Sequence, residues 1–250
     1  RELGFTASYQ WINSYGLPEC LDVVEKASGW KDRISNLPPG KGLGLGCSHY
    51  ISGASKPVNW TGEPHATINL KLDFDGSVVI LTGASEIGQG SNTILVQCVA
   101  EVLGIDPSRV KVVDADSRVT PKDNGSYSSR VTYMVGNAAI EAAENLKNVL
   151  IHAAARKLDV APEDVEVDGE TYSVAHNKDA ALDFNAVSKE ALTDSGTVTV
   201  KGTYTVPRDF QGGKYRGAGV GPSMGFSYAC LLYTSDAADD TPCVDLGGRR

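Results

Sequence analysis

The stretch Ser85-Glu86-Ile87-Gly88-Gln89-Gly90-Ser91-Asn92-Thr93 sets two glycines around a single long polar side chain. Glycines let a backbone come close to a ligand, and the free N–H groups at a helix start favour a phosphate or another anion. Gln89 would then point toward that ligand. The same string also serves as a plain strand-to-helix connection whose glycines are present for geometry alone. A second candidate is Asp123-Asn124-Gly125-Ser126-Tyr127-Ser128-Ser129-Arg130. Its hydroxyls and backbone N–H groups can surround a phosphate or pyrophosphate without a cation, because a helix begins just afterwards. Read alone, Ser126 to Ser129 is equally a solvated serine loop. A third glycine-rich stretch, Gly212 to Pro222, has the texture of a pocket-lining loop and by itself is a flexible turn.

Other chemistries find less support. Cys20, Cys47, Cys98, Cys230 and Cys243 share no CxxC or Cys/His ligand spacing, so neither a zinc site nor an iron–sulfur cluster is built from this chain alone. They read as reduced thiols, with Cys98 on the buried face of a helix. His49, His65, His152 and His176 are scattered and read as structural or surface histidines. No protein metal ligand is expected.

The elements that must position the two loops follow from periodicity. Ala66 to Phe74 and Ser77 to Leu81 alternate around Asp75-Gly76, a hairpin signal. An apolar helix, Ile94 to Leu103, follows the first loop and ends at Gly104. A strand, Val110 to Ala115, precedes the second loop, and an alanine-rich amphipathic helix of about Gly136 to Leu158 follows it. Beyond lie a hairpin over Glu166 to Val174, a helix near Phe184 to Leu192 and a strand Thr197 to Val206. Upstream, residues 1–40 form a polar lead-in with a short helix, Leu21 to Ala27, and the linker Leu37-Pro38-Pro39-Gly40. Gly42 to Cys47 reads as a buried strand whose glycines permit close packing. This order predicts an α+β fold of antiparallel hairpins with packed helices, not a doubly wound sheet.

Composition agrees with a globular protein: 41% hydrophobic and 22% charged residues, with mean hydropathy −0.18. No window nears the roughly 18 consecutive apolar residues of a membrane helix. Net charge is −8 with no basic cluster, which argues against a nucleic-acid partner. A cytoplasmic location is expected.

Residues 230–250 break off a strand in progress and look like the conceptual translation of a transposase-type sequencing adapter, in two blocks, Leu231 to Asp239 and Val244 to Arg250. We therefore expect native sequence to end at Ala229. The expected organisation is a lead-in over 1–40, a domain over 41–229 and a non-native tail over 230–250.

Taken in order, Gly62-Glu63-Pro64-His65-Ala66, the hairpin Leu70 to Leu81, Glu86 to Gly90, Val99 to Gly104, Val110 to Asp116, Gly125 to Arg130, Gly136-Asn137-Ala138-Ala139 and Gly213 to Ala229 resemble the molybdopterin-binding large subunit of the xanthine dehydrogenase/aldehyde oxidase family of molybdenum hydroxylases. Ser52 to Pro57 and Lys214 to Gly219 are most similar in texture to the large subunit of 4-hydroxybenzoyl-CoA reductase. The resemblance implies part of the second molybdopterin-binding domain. It places Ile87, Gly88, Gln89 and Gly90 against the pterin, with the Gln89 side chain near the dithiolene end, and Ser126, Ser128 and Ser129 on the pyrophosphate or pterin from the other side. It implies a molybdenum-molybdopterin cofactor in its cytosine dinucleotide form, with the metal held by the dithiolene. Iron–sulfur and FAD subunits of the same complex are the implied partners. The implied reaction hydroxylates an aromatic or carbonyl-type carbon, or reductively dehydroxylates an aromatic CoA thioester.

In that family the general-base glutamate, a second molybdenum-facing glutamine and a substrate-binding arginine come from segments outside this sequence, so no catalytic residue is assigned here. Glu86 is not promoted to base, since a base must reach the reacting proton and a strand-end carboxylate is more often solvated. The 250-residue chain alone is expected to be inactive. Without the resemblance, a stand-alone phosphate-binding or assembly domain fits the same loops.

Overall fold

The computed structural model describes residues 4–6, 10, 12, 14–53, 62–193, 196–210, 214–215, 218–219 and 224–236. The chain forms two compact units, one of residues 1–52 with 223–250 and the other of residues 53–222.

In the first unit, helix α1 (Leu17–Ser28) begins with Pro18 in its first turn and stops at Gly29, which turns left-handed and returns its N–H to Glu25. The short helix α2 (Trp30–Arg33) follows. Strand β1 (Lys41–Ser52) pairs antiparallel along its full length with β11 (Gly225–Asp236), and α1 packs on β11. The pairing runs on past the Ala229–Cys230 junction, with Ala229 opposite Ser48 and Asp236 opposite Lys41. The expectation of a buried strand over Gly42 to Cys47 is corrected here: most of β1 is exposed, and a side chain at Gly44 would meet nothing. Its glycines lower side-chain bulk on a two-stranded ribbon and seat no neighbour.

The second unit is built on a four-stranded sheet in the order β4-β3-β2-β8. Strands β2 (Ala66–Leu72) and β3 (Val78–Thr82) form the anticipated hairpin, with Leu70 opposite Ile80. Alternate positions point inward, burying Ile68, Leu70, Leu72, Val78 and Ile80. Helix α3 (Ser91–Leu103) then crosses over to β4 (Val110–Asp114), which runs parallel to β3. The sheet is therefore mixed. A parallel pair cannot be joined by a tight turn, and α3 is the crossover that it requires.

A π-helical turn, Val131–Val135, leads into α4 (Gly136–Leu158), which packs across β2 and β8 (Val198–Tyr204) and against α3. Its buried stripe is mostly alanine, from Ala138 to Ala155, with Leu146 and Leu150. Small residues bring the helix axis close to the sheet, and Gly202 of β8 meets it: a Cβ there would lie 2.1 Å from the Ala138 carbonyl oxygen. A second sheet, β5 (Val165–Asp168), β6 (Thr171–Val174) and β7 (Asn177–Asp183), packs on the far part of α4 with helix α5 (Phe184–Thr193). Of the stretch Gly212 to Pro222, only β9 (Lys214–Tyr215) and β10 (Ala218–Gly219), which pair with each other, are described. Residues 54–57 and 237–250 lie outside the described residues.

Candidate functional site

Parallel pairing puts Thr82 beside Asp114, so β3 and β4 end together and the loop leaving β3 turns over the end of β4 into α3. Asp114 holds both sides of that turn, accepting from the Glu86 N–H and from Asn92 Nδ2, each at 3.2 Å.

Within the turn three amides converge on one side chain. Glu86 Oε1 accepts from the N–H groups of Gly88 at 2.8 Å and Gly90 at 3.0 Å. Its Oε2 accepts from the Asn92 N–H at 3.1 Å and the Ser91 hydroxyl at 3.2 Å. The Asn92 N–H, followed by those of Gly90 and Gly88 and the Ser91 hydroxyl, holds the Glu86 carboxyl at about 2, well below the ordinary glutamate range. Glu86 is thus no solvated strand-end carboxylate; it caps α3 from five residues upstream. Two of the amides at this helix start, those of Gly90 and Asn92, are spent on it, and Gly88 and Gly90 supply the positive φ that wraps the loop around it.

Gln89 folds back into the same turn. Its Oε1 accepts from the Ile87 N–H at 2.6 Å, and its Nε2 donates to the Ser85 carbonyl at 3.0 Å and to Ser91 Oγ at 2.9 Å. Both amide protons are used, which leaves an acceptor lone pair of Oε1 and the backbone N–H, which has no acceptor among the described residues, uncommitted. Ile87 stands 69% exposed beside it, and side chains at Gly88 or Gly90 would meet nothing, so the outer face of the turn is open.

The serine loop arrives at the same place. Ser126 Oγ donates to the Ser85 carbonyl at 2.8 Å, the oxygen that also accepts from Gln89. Two neighbouring residues, Ser128 and Ser129, hold left-handed φ of 51° and 49°. Each such non-glycine residue costs about 1–2 kcal/mol, and consecutive ones persist only when the surroundings over-determine them. The Gly53 N–H clamps them, reaching the carbonyls of Ser128 at 3.1 Å and Ser129 at 3.2 Å. Their hydroxyls make no hydrogen bond among the described residues, so the strained backbone presents two uncommitted donors.

Beneath the loop lies a buried ion pair that composition and spacing did not flag. The Arg130 side chain is 0% and the Asp123 side chain 2% exposed, and Arg130 Nη1 reaches Asp123 Oδ1 at 2.8 Å and the Gly125 carbonyl at 2.9 Å. Arg130 Nη2 donates to the carbonyl of His65, whose Nδ1 accepts from the Val206 N–H at 3.1 Å. Asp123 Oδ1 also takes the Gly125 N–H at 2.7 Å. The guanidinium therefore ties the serine loop to the start of β2. Gly83 makes the other seam, where a Cβ would stand 2.2 Å from the Pro121 carbonyl oxygen. Next to this seam a cavity of about 200 Å³ is lined by Glu63, Pro64, His65, Thr67, Pro121, Lys122 and Asn124. Tyr133, in the π-turn, accepts from the Tyr204 hydroxyl at 3.1 Å, and burial raises the Tyr204 phenol above its ordinary range.

The structure thus joins Ile87, Gly88, Gln89 and Gly90 to Ser126 through one carbonyl oxygen, with Ser128 and Ser129 following in the same loop. The parts that Glu86, Asp114, Asn92, Asp123 and Arg130 play in holding the two loops were not read from the sequence, although Glu86 and the segment Asp123 to Arg130 stood among its candidates. Their only sequence signal is position: an acid just before a glycine turn, a strand-end acid, and charges flanking the serine run. Cys98 is half-buried, which pushes its thiol up. Among the described residues no group of three or more His, Cys, Asp or Glu could hold a metal ion, and no described helix is long and apolar enough to cross a membrane.

Residues 23–234 match the molybdopterin cofactor-binding domain family. The xanthine dehydrogenase molybdenum-binding subunit of Escherichia coli O157:H7 is 39% identical over 152 residues, 57% of this chain and 19% of that protein. The nicotine 6-hydroxylase large subunit of Paenarthrobacter nicotinovorans is 29% identical over 212 residues, 78% of this chain and 26% of that protein. The chain therefore spans between about a fifth and a quarter of the length of these relatives. Among solved structures, the Cu,Mo-CO dehydrogenase superposes with a TM-score of 0.70 over 91% of this chain and 30% of that one, at 19% identity. Quinoline 2-oxidoreductase from Pseudomonas putida 86 gives 0.67 over 94% and 30%, at 21% identity. At these identities the superpositions speak for the fold, which is the expected mixture of helices and open sheets.

Proposed function

The chain belongs to the molybdopterin cofactor-binding domain family, and from that premise we propose that the junction of the Gly88-Gln89-Gly90 turn with the Ser126–Ser129 loop is where it holds the cofactor. The observation that carries this is the shared acceptor: Gln89 Nε2 and Ser126 Oγ both donate to the Ser85 carbonyl, so two loops far apart in sequence form one rim. The residues fit a dinucleotide-type pterin. Ser128 and Ser129 offer uncommitted neutral donors suited to a pyrophosphate, and Ile87 with the open glycine face offers an apolar wall for a flat ring. When bound, the molybdenum-molybdopterin group supplies the oxygen-transfer and redox chemistry. The chain's own residues bind and orient it: Ser126 locks one loop to the other, Gln89 lines the rim, and the Arg130–Asp123 pair holds the serine backbone in place. No residue here is assigned a proton-transfer step.

In this reading the chain is part of the catalytic subunit of an oxidoreductase that hydroxylates an aromatic or carbonyl-type carbon, or works reductively as a 4-hydroxybenzoyl-CoA reductase would. The cofactor is the cytosine dinucleotide form, iron–sulfur and FAD subunits are its partners, and the complex is cytoplasmic. Relatives described as a large chain of carbon monoxide dehydrogenase and as the gamma subunit of a 6-hydroxypseudooxynicotine dehydrogenase complex support the multi-subunit part. We further propose that 41–229 is native domain, that 1–40 leads into it, and that 230–250 is adapter-derived; amplifying source DNA across the Ala229 codon tests the last point. Turnover of 4-hydroxybenzoyl-CoA and of xanthine by the complete complex tests the substrate class. Elemental analysis of the 250-residue chain expressed alone should find no molybdenum and no turnover; stoichiometric metal would contradict the need for the rest of the subunit.

A further inference from the structure

The start of α3 looks like an anion site from its sequence and is occupied, in the structure, by an anion of its own. Glu86 uses all four of its contacts on the turn: Gly88 and Gly90 N–H on Oε1, Asn92 N–H and Ser91 hydroxyl on Oε2, between 2.8 and 3.2 Å. A carboxylate accepting several backbone N–H groups stays ionised, in line with its low-lying titration. Asp114, the charged group facing the turn from the end of β4, adds a second acid, reaching the Glu86 N–H and Asn92 Nδ2. No base pairs with either acid among the described residues. Three donors of the turn, the Gly88, Gly90 and Asn92 N–H groups, are therefore spent, and the turn carries two negative charges.

We propose that Glu86 is a built-in counter-ion that fills the amide cradle opening α3, so that this cradle fixes the shape of the Gly88-Gln89-Gly90 turn and rejects exogenous anions, leaving the pyrophosphate-like part of a ligand to the Ser126–Ser129 loop. The proposal rests on the reading of that loop as a ligand site. It makes Glu86 a positioning residue: it contacts no ligand and acts through the turn it closes. It also divides the labour along the rim. Among the described residues the N–H groups of Gln89, Ser91 and Thr93 and an Oε1 lone pair of Gln89 stay uncommitted, which beside the two acids suits a neutral polar ring edge better than an anion. The serine loop offers two hydroxyls that are uncommitted among the described residues and makes no hydrogen bond to Glu86 there, which suits a charged diphosphate.

The test uses the 250-residue chain labelled with 15N, with inorganic pyrophosphate as the probe. In the wild-type chain, pyrophosphate should shift the amides of Ser126 to Ser129 and leave those of Gly88, Gly90 and Asn92 in place. In E86A the latter three should begin to respond to pyrophosphate, and without probe their hydrogen exchange should be at least about tenfold faster than in wild type. E86Q keeps the side-chain size with only one acceptor oxygen; it guards against loss of fold in E86A and should speed exchange at some, not all, of the three. Shifts at Gly88, Gly90 and Asn92 in the wild-type chain would overturn the inference, as would exchange rates unchanged in both variants. Absence of any pyrophosphate shift in the wild type would instead count against the serine loop as a ligand site, with the exchange rates still deciding the role of Glu86.

Discussion

The Ser126 hydroxyl donates to the carbonyl of Ser85 at 2.8 Å, and through that oxygen a loop leading into α4 is fastened to the turn that opens α3. Gln89 Nε2 bonds the same oxygen, so losing Ser126 leaves the acceptor satisfied and removes only the cross-loop link. S126A should accordingly lower stability by about 1 kcal/mol in urea unfolding, while the amides of Ser128 and Ser129 exchange faster. Unchanged exchange at those two amides would show that the link does not hold the loop.

The Arg130–Asp123 pair is a stability element as well as a support. Removing one partner strands a buried charge, so R130A should cost about 3–5 kcal/mol in equilibrium unfolding, and D123A a similar amount. The double variant R130A/D123A should be less destabilised than the sum of the two singles, since no unpaired charge remains. Additive losses would mean that the two side chains do not interact.

Gly202 and Gly83 test close approach at two different seams. A Cβ at Gly202 meets α4 backbone at 2.1 and 2.3 Å, and neither helix nor sheet can yield without repacking the core. G202A should lower stability by about 3 kcal/mol, the upper end of overpacking costs. A Cβ at Gly83 meets the Pro121 carbonyl oxygen, which belongs to a loop. G83A should therefore move the serine loop with a smaller stability loss, visible as shifts at Ser126 to Ser129 larger than those in the core. Equal loss of stability in the two variants would contradict this distinction.

Glu86 predicts a pH dependence. Its folded carboxyl titrates near 2, below the ordinary 4.5, so the stability it contributes is complete above about pH 4.5 and fades as pH falls toward 2. The wild-type chain should lose stability through that window, and E86Q should lose less of it there. Identical acid profiles for the two proteins would mean that the carboxylate is not the titrating group at the turn.

Much of this was legible in the sequence. Helix α4 has the predicted bounds, the hairpin around Asp75-Gly76 formed as its alternation implied, and the order of elements led to the α+β class. Local periodicity carries that information. It does not report pairing between distant strands, which is why Gly42 to Cys47 reads as a buried strand although it lies in the exposed β1–β11 ribbon, and why β7 carries no signal of its own. The two loops were found from glycine and serine spacing. What could not be read was which groups would spend the amides: Glu86 reaches Asn92 only because the chain turns twice with positive φ between them. Likewise Arg130 and Asp123 look like ordinary surface charges until β2 and β8 bring His65 and Val206 over them.

Whether the rim formed by Gln89 and the serine loop holds the pterin cofactor is tested most directly by the cofactor content of the complete complex. Ser128 and Ser129 are best replaced by glycine, which keeps the left-handed backbone without strain and removes the hydroxyls together with the Cβ atoms that carry them. The S128G/S129G complex, purified beside wild type and Q89A, should bind the cofactor at least about a hundredfold more weakly, as two lost hydrogen bonds to a charged group imply, and so retain less molybdenum and pterin; Q89A should also retain less. Full molybdenum and pterin content in both variants would contradict the assignment.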